Sequence, residues 1–123
     1  GVLAYWFDPA HEVFVAEEYG TILGTYYLMA NQQCGGAHVA NCGYMTAPAS
    51  QGKGVARAMC QHSLARAADR GFRAMQFNHV VSTNGRAVAL WQSLGFDIAG
   101  VLPAAFNHPV HGYVDSYVMF KTL

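Results

Sequence analysis

The hexapeptide Gln51-Gly52-Lys53-Gly54-Val55-Ala56 lies where the hydrophobic period of the chain changes, and that change dictates the class of fold. Ahead of it, apolar residues alternate. Glu12 to Glu18 reads as a strand with Val13 and Val15 on one face and Phe14 on the other. Thr21 to Ala30 follows a turn at Gly20 and is rich in β-branched and aromatic residues. Asn31 to Gly36 is a polar, glycine-rich loop, and Ala37 to Thr46 resumes the strand pattern. Behind the hexapeptide, Val55, Met59, His62 and Ala65 recur at helical spacing until Gly71. Arg73 to Ser82 is a strand again, with Met75, Phe77 and Val81 alternating against Gln76, Asn78 and Val80. Ser82-Thr83-Asn84 caps a second helix that stops at Gly95. Asp97 to Leu102 and Tyr113 to Phe120 are strands around a loop holding Pro103 and Pro109. This order predicts a mixed α/β sheet without repeat or linker, and 123 residues suit a single domain.

Composition narrows the function classes. Hydrophobic residues make up 53% and charged residues 11%, an apolar surplus expected to line a ligand cleft or a subunit interface such as a homodimer's, with a plain packed core as the simpler reading. Seven basic residues balance seven acidic ones without a run of either sign, which argues against nucleic acid and anionic membrane as partners. No apolar stretch approaches the roughly 18 residues that span a bilayer. Gly1 to Phe7 is apolar but has no basic flank or cleavage site, so no signal peptide is expected. Cys34, Cys42 and Cys60 are odd in number and lack metal-binding spacing, which predicts reduced thiols, no metal and a cytoplasmic location.

The glycines of the hexapeptide let backbone N–H groups turn toward one point, and the helix beginning at Val55 aims its positive dipole end there. An anion such as a pyrophosphate suits that point, although a plain glycine-rich turn starting a helix fits the six residues equally well. Two nucleotide motifs are excluded. Gly54 stands where a Walker loop needs Ser or Thr after its Lys, and Ala47 where it needs its leading Gly. Arg57 occupies the last glycine position of a dinucleotide fingerprint.

Gln51 to Ala56 matches the Q/R-x-x-G-x-G/A pattern of the GCN5-related N-acetyltransferases (GNAT). The stretch Asn84-Gly85-Arg86-Ala87-Val88-Ala89-Leu90-Trp91-Gln92-Ser93-Leu94-Gly95-Phe96 resembles the family's N-x-x-A-x-x-L-Y-x-x-x-G-F segment. The order of elements is similar to the family's from its second strand onward, so the resemblance covers nearly the whole chain. It implies a mixed, mostly antiparallel sheet with flanking helices, in which the strand ending near Met45 splays from Arg73 to Ser82. It further implies acetyl-CoA as co-substrate. The pantetheine arm would lie in the gap against the backbone near Met45, with the pyrophosphate on Gln51, Gly52, Lys53, Gly54, Val55 and Ala56. Asn84 would meet the pantetheine, a role compatible with capping its own helix. The family's first strand and helices, which wall the substrate pocket, are not evident before Glu12. Ala74-Met75-Gln76-Phe77-Asn78, Val80-Val81-Ser82-Thr83-Asn84 and Gly112-Tyr113-Val114-Asp115 resemble a subgroup with fungal acetyltransferases that detoxify proline analogues such as azetidine-2-carboxylate. That implies a small-molecule amine, a cyclic or secondary amino acid, as acceptor.

Acyl transfer from a thioester needs a neutral amine, support for the oxyanion and a proton for the leaving thiolate. Many relatives draw that proton from the Tyr of the second segment, and here Trp91, far too weak an acid, stands instead. The thiolate then leaves with hydrogen-bond help alone, or a donor such as Tyr113 enters from its loop. No carboxylate lies on Ala37 to Thr46. Glu17 and Glu18 belong to an earlier strand, and His38 or His79 serves as base only if it faces the cleft. Asn41 and Asn78 sit on the two strands expected to splay, where amides are costly unless satisfied. Asn41, Asn78 and Asn84 are candidates for the catalytic site, Asn41 and Asn78 as holders of a substrate carboxylate; amides satisfied by nearby backbone are the simpler alternative for those two. Acetylation of protein N-termini or lysines, or non-catalytic acyl-CoA binding, are the competing functions, since fold does not fix substrate.

Overall fold

Alternating apolar residues, Gly20 at positive φ and β-branched pairs drive the early part of the chain into an antiparallel meander. A computed structural model describes residues 11–123, so the readings made of the chain ahead of His11 lie outside the described residues. Strands β1 (Glu12–Glu18), β2 (Thr21–Ala30) and β3 (Val39–Thr46) pair antiparallel in sequence order. Helix α1 (Val55–Asp69) leads to β4 (Ala74–Val81), and α2 (Gly85–Ser93) leads to β5 (Asp97–His108) and β6 (Gly112–Thr122). Among the described residues the sheet has six strands, in the order β1-β2-β3-β4-β6-β5.

The β3–β4 pairing is parallel and short. It joins Val39 to Ala74 and Ala40 to Met75, and no ladder pair follows, so the strands part beyond Ala40 and Met75. Asn41 stands at the fork and donates from Nδ2 to the Gln76 carbonyl at 2.8 Å, supplying the bond the ladder no longer provides.

The core lies between the sheet and α1. Tyr26, Leu28, Cys42 and Met75 meet Val55, Met59 and Cys60, all nearly inaccessible to water. The buried stripe of α1 runs Val55, Met59, Ser63, Ala67, at every fourth residue, rather than through His62 and Ala65 as the sequence suggested. A polar residue fits that stripe because the Ser63 hydroxyl donates to the Cys60 carbonyl at 2.7 Å. Tyr26 hydrogen-bonds His62 from across the interface, and Phe14 packs on both rings.

Two further expectations are corrected. In β4 the alternation breaks: Val80, not Val81, is buried, because an extra residue between Phe77 and Val80 shifts the register against β6. The segment around Pro103 is not a loop but part of β5, which pairs with β6 as far as His108 opposite Gly112. Strand β5 lies at the sheet edge, where a proline removes no ladder bond that matters. A register shift between Leu102 and Phe106, with Ala104 at φ 50°, absorbs the ring, and Asp115 Oδ1 accepts from the Ala104 N–H at 3.0 Å.

Candidate active site

Where β3 ends, a short 3-10 turn at Pro48–Ser50 feeds the glycine loop. Gly52 and Gly54 both hold positive φ, 77° and 78°, and Gly54 is the N-cap of α1. A Cβ built on either glycine would meet nothing within 4 Å, so open space lies over the loop. No side chain caps α1 and no acidic residue occupies its first turn, leaving the first-turn N–H groups directed at that space.

A cleft of about 780 Å³ opens there. Thr46, Ser50, Gln51, Gly52, Gly54, Val55 and Ala56 line one side, and Asn84, Ala87, Leu90 and Trp91 of the α2 segment line the other. Arg57 and Arg86 bring two cations to it, and Arg57 Nη2 donates to Ser93 Oγ at 2.9 Å, tying the two helices together. Open glycines, free N–H groups and guanidinium charges fit a diphosphate-bearing ligand.

A second cleft of about 530 Å³ follows the fork between β3 and β4. Asn41, Asn78 and Asn84 all line it, and Asn84, Ala87 and Trp91 also line the first cleft, so the two are continuous. Asn78 is oriented by neighbours: its Nδ2 donates to Asn31 Oδ1 at 2.7 Å, and its Oδ1 accepts from Gln76 Nε2 at 2.9 Å. Each of Asn41 and Asn78 therefore commits one amide proton and keeps a second. Asn84 Oδ1 accepts from the Ala87 N–H at 3.2 Å, the expected N-cap.

Aromatic rings floor this junction. Trp91 is 9% exposed and packs on Tyr44, Phe77 and Phe96 at centroid distances of 5.3, 5.0 and 6.5 Å. Tyr44 turns its hydroxyl to Ser63 Oγ at 2.7 Å, and burial raises its pKa far above the usual phenol range. Burial likewise pushes the Cys42 thiol up to about 12 and Cys60 to about 11, so neither is a nucleophile at neutral pH. Among the described residues no group of His, Cys, Asp and Glu has the arrangement of a metal site.

Residues 2–96 match the model of the acetyltransferase (GNAT) family. The chain belongs to that family. It is 33% identical over 99 residues to the N-acetyltransferase aca1 of Schizosaccharomyces pombe, an overlap of 80% of this chain and 47% of that one. The chain thus spans about half the length of this curated relative. A GCN5-related N-acetyltransferase from Kribbella flavida shares 48% identity and superposes with a TM-score of 0.90, over 95% of this chain and 70% of its own. The fold is also that of yncA from Salmonella typhimurium, solved with its cofactor acetyl-CoA: TM-score 0.81, 24% identity, 92% of this chain and 65% of that one.

Not every residue proposed from the GNAT patterns reaches a cleft. Lys53 is exposed and lies outside the residues lining either one, and the Met45 side chain, 49% exposed, does so too. Tyr113 is 74% exposed on the β5–β6 hairpin and borders neither cleft, and the same holds for His38, Glu17 and Glu18. His79 lines the second cleft, the condition set for it as a candidate base, whereas Arg57 and Arg86 line the first cleft and were not among the residues expected to bind there. Arg57 and Arg86 each fall within two residues of a helix start, a spacing that carries the signal for a cation beside a bound anion.

Proposed function

We propose that this chain transfers the acetyl group of acetyl-CoA to the amine of a small amino acid, a proline-like cyclic acid being the favoured acceptor. The observation that carries the reading is the continuity of the two clefts through Asn84, Ala87 and Trp91, one side cationic and glycine-rich, the other lined by amides. Acetyl-CoA supplies an activated acyl thioester. Backbone N–H groups at Gly52, Gly54 and the first turn of α1 bind its diphosphate, with Arg57 and Arg86 adding charge, while Asn84 and Trp91 border the path of its arm. Asn41 and Asn78 use their remaining amide protons to hold the acceptor carboxylate. They do so without a full positive charge beside the amine. The S. pombe relative, named an N-acetyltransferase, supports the reaction class. The resemblance to proline-analogue acetyltransferases supports the acceptor.

Among the described residues no carboxylate lines the second cleft, which disfavours lysine side chains and peptide N-termini as acceptors. Reduced cysteines agree with a cytoplasmic enzyme. Among the described residues no helix is long and apolar enough to cross a membrane. Turnover is measured with proline-like acids, their matching amides and short peptides, for the wild type and Asn78→Ala. The expected result is preference for the acids, and a loss of about one to two orders of magnitude in kcat/KM for the acids in the variant, with the amides little changed. Equal losses for acid and amide would remove the carboxylate role, and turnover of peptides alone would remove the small-molecule reading.

A further inference from the structure

The extra residue in β4 has a chemical effect. Phe77 pairs with Met119 and Val80 with Tyr117, so Asn78 and His79 together oppose a single position of β6. In a regular strand two consecutive side chains point to opposite faces, and one of them would be lost to the core. Here both are exposed and both line the second cleft, between flanking residues Phe77 and Val80 that are 5% and 6% exposed. The bulge thus places an imidazole next to the amide that holds the acceptor carboxylate in the reading above.

We propose that His79 is the general base that takes the proton from the acceptor ammonium. This rests on the acetyl-transfer reading, and on the company His79 keeps. The other groups able to titrate in its cleft are the Tyr27 and Tyr44 phenols and the Cys42 thiol. Tyr44 donates to Ser63 and Cys42 is held as the thiol, so neither accepts a proton at neutral pH. From β2 the cleft is faced by Tyr27, from β3 by Asn41, Cys42 and Tyr44, from β4 by Asn78 and His79, and from the start of α2 by Asn84. Among the described residues no Asp, Glu, Lys or Arg lines it, and Arg57 and Arg86 line the neighbouring cleft. Imidazole is the side chain most often used as a general acid or base.

The proton balance closes with this assignment. The ammonium gives one proton to the His79 imidazole, and the freed lone pair forms the C–N bond to the acetyl carbon as the C–S bond breaks. The second proton leaves the nitrogen as the thiolate departs, so the thiol and the amide are the products. His79 then returns its proton to water from its exposed position.

The test is the pH profile of kcat/KM for the full chain and His79→Gln, with acetyl-CoA and the best small amino-acid acceptor. The wild type is expected to lose activity on the acid side, where a protonated base cannot take the proton of the ammonium. His79→Gln is expected to lose that limb and about a hundredfold in activity at neutral pH, while calorimetry finds its CoA affinity unchanged. A variant that keeps the limb, or that stays within about threefold of the wild type, overturns the assignment of the base and leaves acetyl transfer standing. A wild type that acetylates no amine overturns both.

Discussion

Gly54 adopts φ 78° and has open space where a side chain would project, so it combines a backbone requirement with room for a ligand. Asp tolerates the left-handed region better than most residues, so Gly54→Asp strains the backbone less than other substitutions there. Its carboxylate would stand in the proposed diphosphate site and repel the ligand's charge. Calorimetry is expected to find CoA affinity reduced at least about a hundredfold in a variant that still unfolds cooperatively. Undiminished affinity would show that the loop is only a turn. Trp91 illustrates a different kind of residue. Its indole fills space between Tyr44, Phe77 and Phe96 at the junction of the clefts, a packing task that explains a ring at this position without any acid chemistry. The phenol beside it is unsuited to replace that acid, since the Tyr44 hydroxyl points away to Ser63.

The sheet and α1 are fastened at one edge by an ion pair that bears on stability. Arg66 grips Glu12 with two bonds, Nε to Oε1 at 2.7 Å and Nη2 to Oε2 at 2.9 Å, and Arg70 approaches the same carboxylate at 3.7 Å. The hydrogen bond from Arg66 holds the Glu12 carboxyl below its usual value of 4.5, more than offsetting the effect of partial burial. A carboxyl depressed in the folded state adds stability above its unfolded value, and that contribution fades as pH falls through the folded one. Glu12→Gln is therefore expected to lower Tm by a few degrees at pH 7, the modest effect of a partly exposed pair. The gap between variant and wild type should narrow as the pH falls below 4.5 and close once the carboxyl is protonated in the folded state as well. A gap of the same size in acid would mean the side chain acts by packing alone. Element order, the start of α1 and the Asn84 cap were all legible in the sequence, because each depends on residues within one or two turns of the chain. The bulge of β4 was not. It is a matter of register against β6, some forty residues away, and its trace in the sequence is the polar pair Asn78-His79 interrupting an apolar alternation.

Seen as a whole, the molecule leaves apolar side chains uncovered on its β5–β6 hairpin. Val101, Phe106, Val110 and Tyr113 are 50, 40, 79 and 74% exposed, and no Asp, Glu, Lys or Arg occurs between Asp97 and Asp115. An uncharged surface meets its own copy without like-charge repulsion, which fits the homodimer expected from composition. Sedimentation should find a dimer for the wild type and a monomer for the double variant Val101→Lys, Phe106→Lys, and a wild-type monomer at micromolar concentration would refute this. The glycine loop, the Asn84 segment and the alternating strands were sufficient to indicate the family, because backbone freedom, capping and period are local properties. Tertiary structure decided the rest. Lys53 belongs to the motif and yet lies outside the cleft, while Arg57 and Arg86, remote from each other in sequence, line it together. Asn41 and Asn78 share a cavity because β3 and β4 separate after two ladder pairs, and His79 joins them because one strand holds a residue more than its partner. Separation and register are set by which strands pair and where the pairing stops, and no local stretch of residues encodes that on its own.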